Sequence, residues 1–289
     1  MPNSNGTINV ATLYEKKLEE RFSIGSKTNA YASKKYDFVG TKSIEVITAD
    51  RMEMVDYTRT GTSRYGTIYE LGDTKQTLTM SKDRAFTFSI DAANGSDQYN
   101  IKQANARLKD HWDNVVTPEV DAYRLNAWAT GHGLSTGKAV LTNATPAALT
   151  SANILEAIFN ASAAMSDALV PATNRVLFIS ELEYVKFKLA NVVIAGAQLN
   201  EKAVARGYKG TIDGIAVVTV PSTYMPAKTG FIIKQKDATA DPIKLKTLRV
   251  QRTPVGIDGD VVEGHIYYDS FVLDAKCAGV YVYKTQAWT

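Results

Sequence analysis

Cysteine is almost missing from this chain: Cys277 is the only one in 289 residues, so no intrachain disulfide can form and packing must supply the stability. Cys277 stands in an apolar run that reads as strand, where a small buried hydrophobe is expected. Long hydrophobic runs are missing too. Nothing approaches the ~20 apolar residues of a membrane helix, and the start, MPNSNG, lacks the basic-then-apolar layout of a secretory signal. The expectation is a chain used in a reducing cytoplasm, without a membrane partner. An excess of one charge is also lacking. Lys and Arg number 33 against 30 Asp and Glu, a net charge of +3, which is too mild to indicate nucleic-acid recognition by itself.

Chemical motifs are equally sparse. His111, His132 and His265 have no companions at metal-ligand spacing. No glycine-rich run ends in Gly-Lys-Ser or Gly-Lys-Thr, and the run from Gly61 misses the nucleophile-elbow pattern because its second glycine, Gly66, comes one place late. No catalytic, cofactor-binding or metal constellation is present, which weighs against an enzyme.

What the chain does have is length, 45% hydrophobic residues and one dominant helical pattern. Over 97–131, Ile101, Ala104, Leu108, Trp112, Val115, Val116, Val120, Tyr123 and Ala127 recur every three or four residues, with Lys102, Lys109, Asp113, Glu119 and Arg124 off the stripe. Ser96 or Asp97 suits the N-cap, and Gly131 to Gly133 the end. At about 1.5 Å per residue this helix is roughly 50 Å long, enough to cross the molecule. Pro118 lacks an N–H, so the helix either kinks there or restarts with Thr117 as N-cap. Before it, residues 1–36 read as an arm with one short amphipathic helix at 11–22, built on Tyr14, Leu18 and Phe22.

Between arm and helix the period is two. Ile44 and Val46 mark one strand. Leu78, Met80, Phe86, Phe88 and Ile90 share one parity of a second, which runs unbroken over 76–91 and places Lys82 and Arg84 at the inward parity. The loop between them carries Tyr57, Arg59, Arg64 and Tyr65 among Gly and Thr, near Asp56, Glu70 and Asp73. Tyrosine and arginine offer contact area and hydrogen bonds at modest entropic loss, so these four are the candidate subunit-interface residues.

After the helix the pattern is mixed α/β. A helix over 151–169 uses Ile154, Leu155, Ile158, Phe159 and Met165; a buried strand covers 175–179. A helix over 180–193 carries Leu182, Val185, Lys186 and Leu189 and opens with a Ser180–Glu183 capping box. A hairpin turns at a glycine into a buried strand ending at Val220, and Phe231 to Ile233 continue the sheet. The tail is strand throughout: Lys234, Lys244, Lys246, Arg249 and Arg252 form a basic band, and 261–273 and 279–283 read as paired strands.

Arm, hairpin, long helix, α/β body and strand return is the element order of tailed-bacteriophage major capsid proteins, the Hong Kong 97-like fold. The run PVGIDGDVVEGHIYYDSFVLDAK at 254–276 resembles one near the end of such proteins, and YDFVG at 36–40, DYTR at 56–59, SRYG at 63–66 and PEVD at 118–121 are similar to others. The resemblance implies an α+β fold divided into an N-terminal arm (1–36), an extended E-loop with its base strands (37–96) and the spine helix of a peripheral domain (97–130). An axial domain (131–240), peripheral strands (241–268) and a return to the axial domain (269–289) follow. It implies hexamers and pentamers of this chain in an icosahedral shell packaging double-stranded DNA without sequence specificity, assembled in the bacterial cytoplasm. The chain begins almost at the arm, so a separate scaffold protein, or none, is implied, with a portal, and no cofactor. The rival readings are a nanocompartment shell protein, a small-molecule α/β enzyme, and a tail or adhesion protein.

Overall fold

The computed structural model describes residues 25–33, 35–36, 42–91, 104–190, 208–252, 256 and 258–287. The arm helix expected at 11–22 and the first turn of the long helix lie outside them, as do the side chains of Lys244 and Lys246. Strands β1 (Ser43–Ala49), β2 (Asp73–Thr79) and β3 (Lys82–Asp91) come first. The long helix follows as α1 (Ala104–His111), a π-helical turn (Trp112–Val116) and α2 (Thr117–Thr130). Then come β4 (Leu141–Thr142), α3 (Ile154–Asp167), β5 (Arg175–Ser180) and α4 (Glu181–Leu189). The rest is β6 (Tyr208–Ile212), β7 (Ile215–Val220), β8 (Thr229–Gln235), β9 (Thr239–Ala240), β10 (Ile243–Arg252), β11 (Gly259–Tyr268), β12 (Phe271–Val272) and β13 (Val280–Lys284).

The six-stranded sheet, in order β4-β13-β8-β5-β7-β6, forms the body. Every residue of β5 is buried because both faces are covered, which is why it reads as a continuous apolar run. Leu177 and Ile179 meet Ile154, Ile158 and Met165 of α3 and Tyr184 and Phe187 of α4, whereas Val176 and Phe178 meet Leu125 and Trp128 of α2. A second sheet, β10-β11-β3, packs Ile266 and Tyr268 against Val116 and Val120 of the same long helix. The helix is therefore shared by both sheets.

Pro118 produces no restart. Thr117 is fully helical (φ −61°, ψ −48°), and its N–H bonds to the Trp112 carbonyl, five residues back, so the chain widens into a π turn rather than breaking. Arg124, placed off the stripe by the sequence pattern, is instead 2% exposed, because α2 is covered on both sides. Gly131 ends the helix at φ 69°, as its position suggested. Ser180 caps α4, its Oγ accepting from the Glu183 N–H, but the buried face is Tyr184 and Phe187; Leu182, Val185 and Leu189 point outward, as does Phe159 of α3.

Four strand expectations change. The single strand over 76–91 is two strands, broken at Met80 and Ser81: β2 pairs with β1, whereas β3 pairs with β11. Lys82 and Arg84 are exposed at the start of β3, where Arg84 pairs with Glu119 (2.8 Å) and Lys82 lies over the Tyr123 ring (5.1 Å). The strands at 261–273 and 279–283 do not pair with each other; β11 lies between β10 and β3, and β13 between β4 and β8. Cys277 occupies a 3-10 turn (Asp274–Gly279) rather than a strand, and it is half-buried.

Lys234 leaves the basic band altogether. It is buried, 3.8 Å from the Trp128 ring centre, and donates to Asp241 Oδ2 at 3.2 Å. The same carboxylate accepts from the Ser33 N–H (3.0 Å), Trp128 Nε1 (2.9 Å), Thr239 Oγ1 (2.8 Å) and Ser270 Oγ (2.6 Å). Burial would raise the Asp241 pKa, but the Lys234 and Arg124 charges and these donors outweigh it and hold it at about 2. Burial pushes Lys234 down to about 8 against the pull of Asp241.

Asp241→Asn strands a buried ammonium and should cost about 3–5 kcal/mol in urea unfolding. Asp241→Asn combined with Lys234→Met should recover part of that loss. Because the folded-state pKa of Asp241 lies below its ordinary value of 3.8, its contribution is present above about pH 4 and is lost as pH falls toward 2. Wild-type stability should drop across that window by about 2 kcal/mol more than that of Asp241→Asn.

Candidate assembly surface

Strands β1 and β2 form a two-stranded antiparallel ribbon, with Ser43 opposite Thr79 and Ala49 opposite Asp73. Two strands alone are marginal in water, and this ribbon is held at one end only. Gln76, Leu78 and Met80 of its base are buried; Leu78 and Met80 pack with Ala240, Phe271 and Leu273. The Gln76 side chain works as a peg: its Nε2 donates to the Gly133 and Val272 carbonyls (2.8 and 2.9 Å), and its Oε1 accepts from the Asp274 N–H (3.0 Å). Asp50 N–H bonds to the Gly72 carbonyl (2.9 Å) at the far end, where the strands open into the connecting loop.

The four candidate interface residues lie in that loop. The Thr58 N–H donates to the Arg64 carbonyl (3.0 Å), closing a turn that carries Arg59 at its start and Gly61, at φ 92°, in its middle. This closure brings Tyr57 and Tyr65 edge to face at 5.1 Å. Arg64 Nε donates to the Gly61 carbonyl (3.2 Å) rather than to a nearby acid, so it braces its own turn. Arg59 is exposed in the same turn.

Sequence reasoning singled out aromatic and guanidinium groups and passed over the apolar ones. Met54 is 99% exposed and Ile68 97%, and Met52, Val55, Tyr69 and Leu71 are exposed with them. The missed signal was a series of apolar side chains with no periodic partner in the same segment. Exposed apolar side chains gathered in one segment make this loop a candidate contact surface. Leu182, Val185 and Leu189 on α4 make a second, smaller exposed apolar stripe.

Among the described residues no cluster of three His, Cys, Asp or Glu could hold a metal ion. His111 packs on the Phe86 ring (4.2 Å), His265 pairs with Asp83, and His132 Nε2 lies 3.5 Å from Asp269. No helix among the described residues is long and apolar enough to cross a membrane.

No family model and no curated protein sequence matches the chain. Solved structures do. The capsid of cyanophage P-SCSP1u aligns at TM-score 0.66 and 14% identity over 98% of this chain and 96% of that one. The mature capsid of bacteriophage PhiM1 aligns at 0.64 and 11% identity over 96% and 93%, and the capsid of an empty GTA particle at 0.64 and 14% over 96% of each chain. At such identities the likeness is one of fold, and it runs the length of both chains: this protein has the α+β, Hong Kong 97-like fold of phage capsid proteins.

Proposed function

We propose that this chain is a major capsid protein, many copies of which form the hexamers and pentamers of an icosahedral phage head around double-stranded DNA. The observation that carries the reading is end-to-end structural likeness to capsid chains, with 96% or more of this chain covered in each of those three alignments. In this reading 37–96 hold the E-loop and its base strands, 97–130 the spine helix, 131–240 the axial domain and 241–268 peripheral strands, and 269–289 return to the axial domain. The place of β13 inside the six-stranded sheet supports that return. The arm of 1–36 ends against the spine helix, where Asp121 accepts from Ser26 Oγ (2.8 Å), the Lys27 N–H (2.6 Å) and Thr28 Oγ1 (2.6 Å).

The role is structural rather than enzymatic, and the site is the virion shell, assembled in the bacterial cytoplasm with a scaffold protein and a portal as partners. DNA is enclosed without sequence readout. Negative-stain microscopy of the purified protein tests this: closed shells are expected, and a small oligomer would overturn it. Native particles treated with nuclease should retain protected DNA; protected enzymes in its place would identify a nanocompartment instead.

Two variants probe the ribbon. Replacing 51–71 with a short Gly-Ser turn, which spares the buried Gln76, Leu78 and Met80, should leave the body's circular dichroism unchanged and abolish shells. Full-size shells from that protein would remove the loop from assembly. Arg59→Ala and Tyr65→Ala should leave unfolding of the unassembled subunit within about 0.5 kcal/mol of wild type. Where the lost group leaves a buried partner unpaired, each contact between subunits should weaken by about 2–5 kcal/mol, read as a lower guanidinium dose for particle dissociation. Equal losses in both assays would assign these residues to their own fold.

A further inference from the structure

The ribbon and β3 join through Met80 and Ser81, and this joint is tied down by hydrogen bonds from three other parts of the chain. The Met80 N–H donates to the Lys42 carbonyl (3.1 Å), and Tyr267 Oη donates to the Met80 carbonyl (3.0 Å). The Ser81 N–H and Oγ both donate to Asp269 Oδ2, at 2.7 and 3.1 Å. The side chain of Asp269 is wholly buried. Its Oδ1 accepts from Tyr123 Oη (2.6 Å) and the Ser270 N–H (2.8 Å). Burial raises the Asp269 pKa, but the neighbouring His132 imidazole and the donors from Tyr123, Ser270 and Ser81 more than offset it and keep the group ionised in ordinary buffers.

A buried carboxylate needs a counter-charge or a full set of donors. Among the described residues, the one basic side chain within ion-pair distance of Asp269 is His132, whose Nε2 stands 3.5 Å from Oδ1. That nitrogen is buried and makes no hydrogen bond. The ring lies flat on Phe271 (5.4 Å, 18°) and edge-on to Tyr123 (6.4 Å, 69°), so its direction is set by packing. Other charged groups facing the cluster are Lys82 over the Tyr123 ring, Glu119 accepting from Tyr268 Oη, and Asp241 accepting from Ser270 Oγ. None of these reaches Asp269 directly.

We propose that His132 is a protonation latch on the ribbon joint: protonated, it closes an ion pair with Asp269 that fixes the ribbon to the body, and neutral, it leaves that carboxylate held by uncharged donors alone. A proton gained by the imidazole turns this contact into a charged one, so the joint tightens as the solution becomes more acidic. The consequence is a lever whose stiffness follows pH while the six-stranded sheet stays unaffected.

Hydrogen–deuterium exchange on the full-length, unassembled chain tests this, at about pH 5.5 and about pH 7.5, corrected for the intrinsic pH dependence of amide exchange. The Ser81 amide should be about tenfold better protected at the lower pH, the scale of one charge-assisted bond. Amides of β5 and β8 should show no such change. His132→Gln keeps a donor that does not titrate, and His132→Phe keeps the stacking on Phe271; both should remove the difference at Ser81 while β5 and β8 stay protected. Equal protection of wild-type Ser81 at both values, or a pH difference that survives in either variant, would overturn the latch.

Discussion

One buried carboxylate, that of Asp241, accepts from Ser33 of the arm, Trp128 of the long helix, Lys234 of the central sheet, Thr239 of β9 and Ser270 ahead of β12. Removing a carboxylate from water is costly unless its lone pairs are satisfied, so these segments must all be in place before the burial becomes favourable. The Trp128 indole then serves twice, donating to Asp241 and covering the Lys234 ammonium with its face. Apolar burial alone would let helix and sheet slide past one another, because it has no direction; the carboxylate sets the register.

The same device recurs at the edges of the body. Asp121 gathers Ser26, Lys27 and Thr28, Asp269 gathers Ser81 and Tyr123, and Asp274 gathers the Ser135 backbone and hydroxyl. Each joins a segment with little core of its own to one that has a core. The segment 25–33 and the ribbon are therefore attached to the body through charge-assisted bonds.

The runs that resemble capsid proteins take on physical meaning here. PEVD contains Asp121, and the long run at 254–276 contains Asp269 and Asp274. These acids look like ordinary surface residues in a hydropathy reading, yet Asp121 is 1% exposed and Asp269 is fully buried. Apart from the adjacent Ser270 N–H on Asp269, their partners are 93 to 188 residues away along the chain, which no local pattern can register.

By itself the sequence determined which side chains share a face. The parity of Gln76, Leu78 and Met80, the helical stripe through Val116 and Val120, the Ser180 cap and the Gly131 stop are local consequences of backbone period and of φ preference, and all appear in the structure. Tertiary structure decided which face met a core. On α4 the two aromatic rings, Tyr184 and Phe187, fill the space over the sheet and turn the equally apolar Leu182, Val185 and Leu189 outward. Long-range contacts likewise buried Lys234 and Arg124, because a second layer carrying Asp241 and the arm covers them, and split the strand over 76–91, because β1 and β11 compete for its two halves. The candidate interface residues divide the same way: their exposure as a loop follows from local composition, whereas the meeting of Tyr57 with Tyr65 required the turn to close.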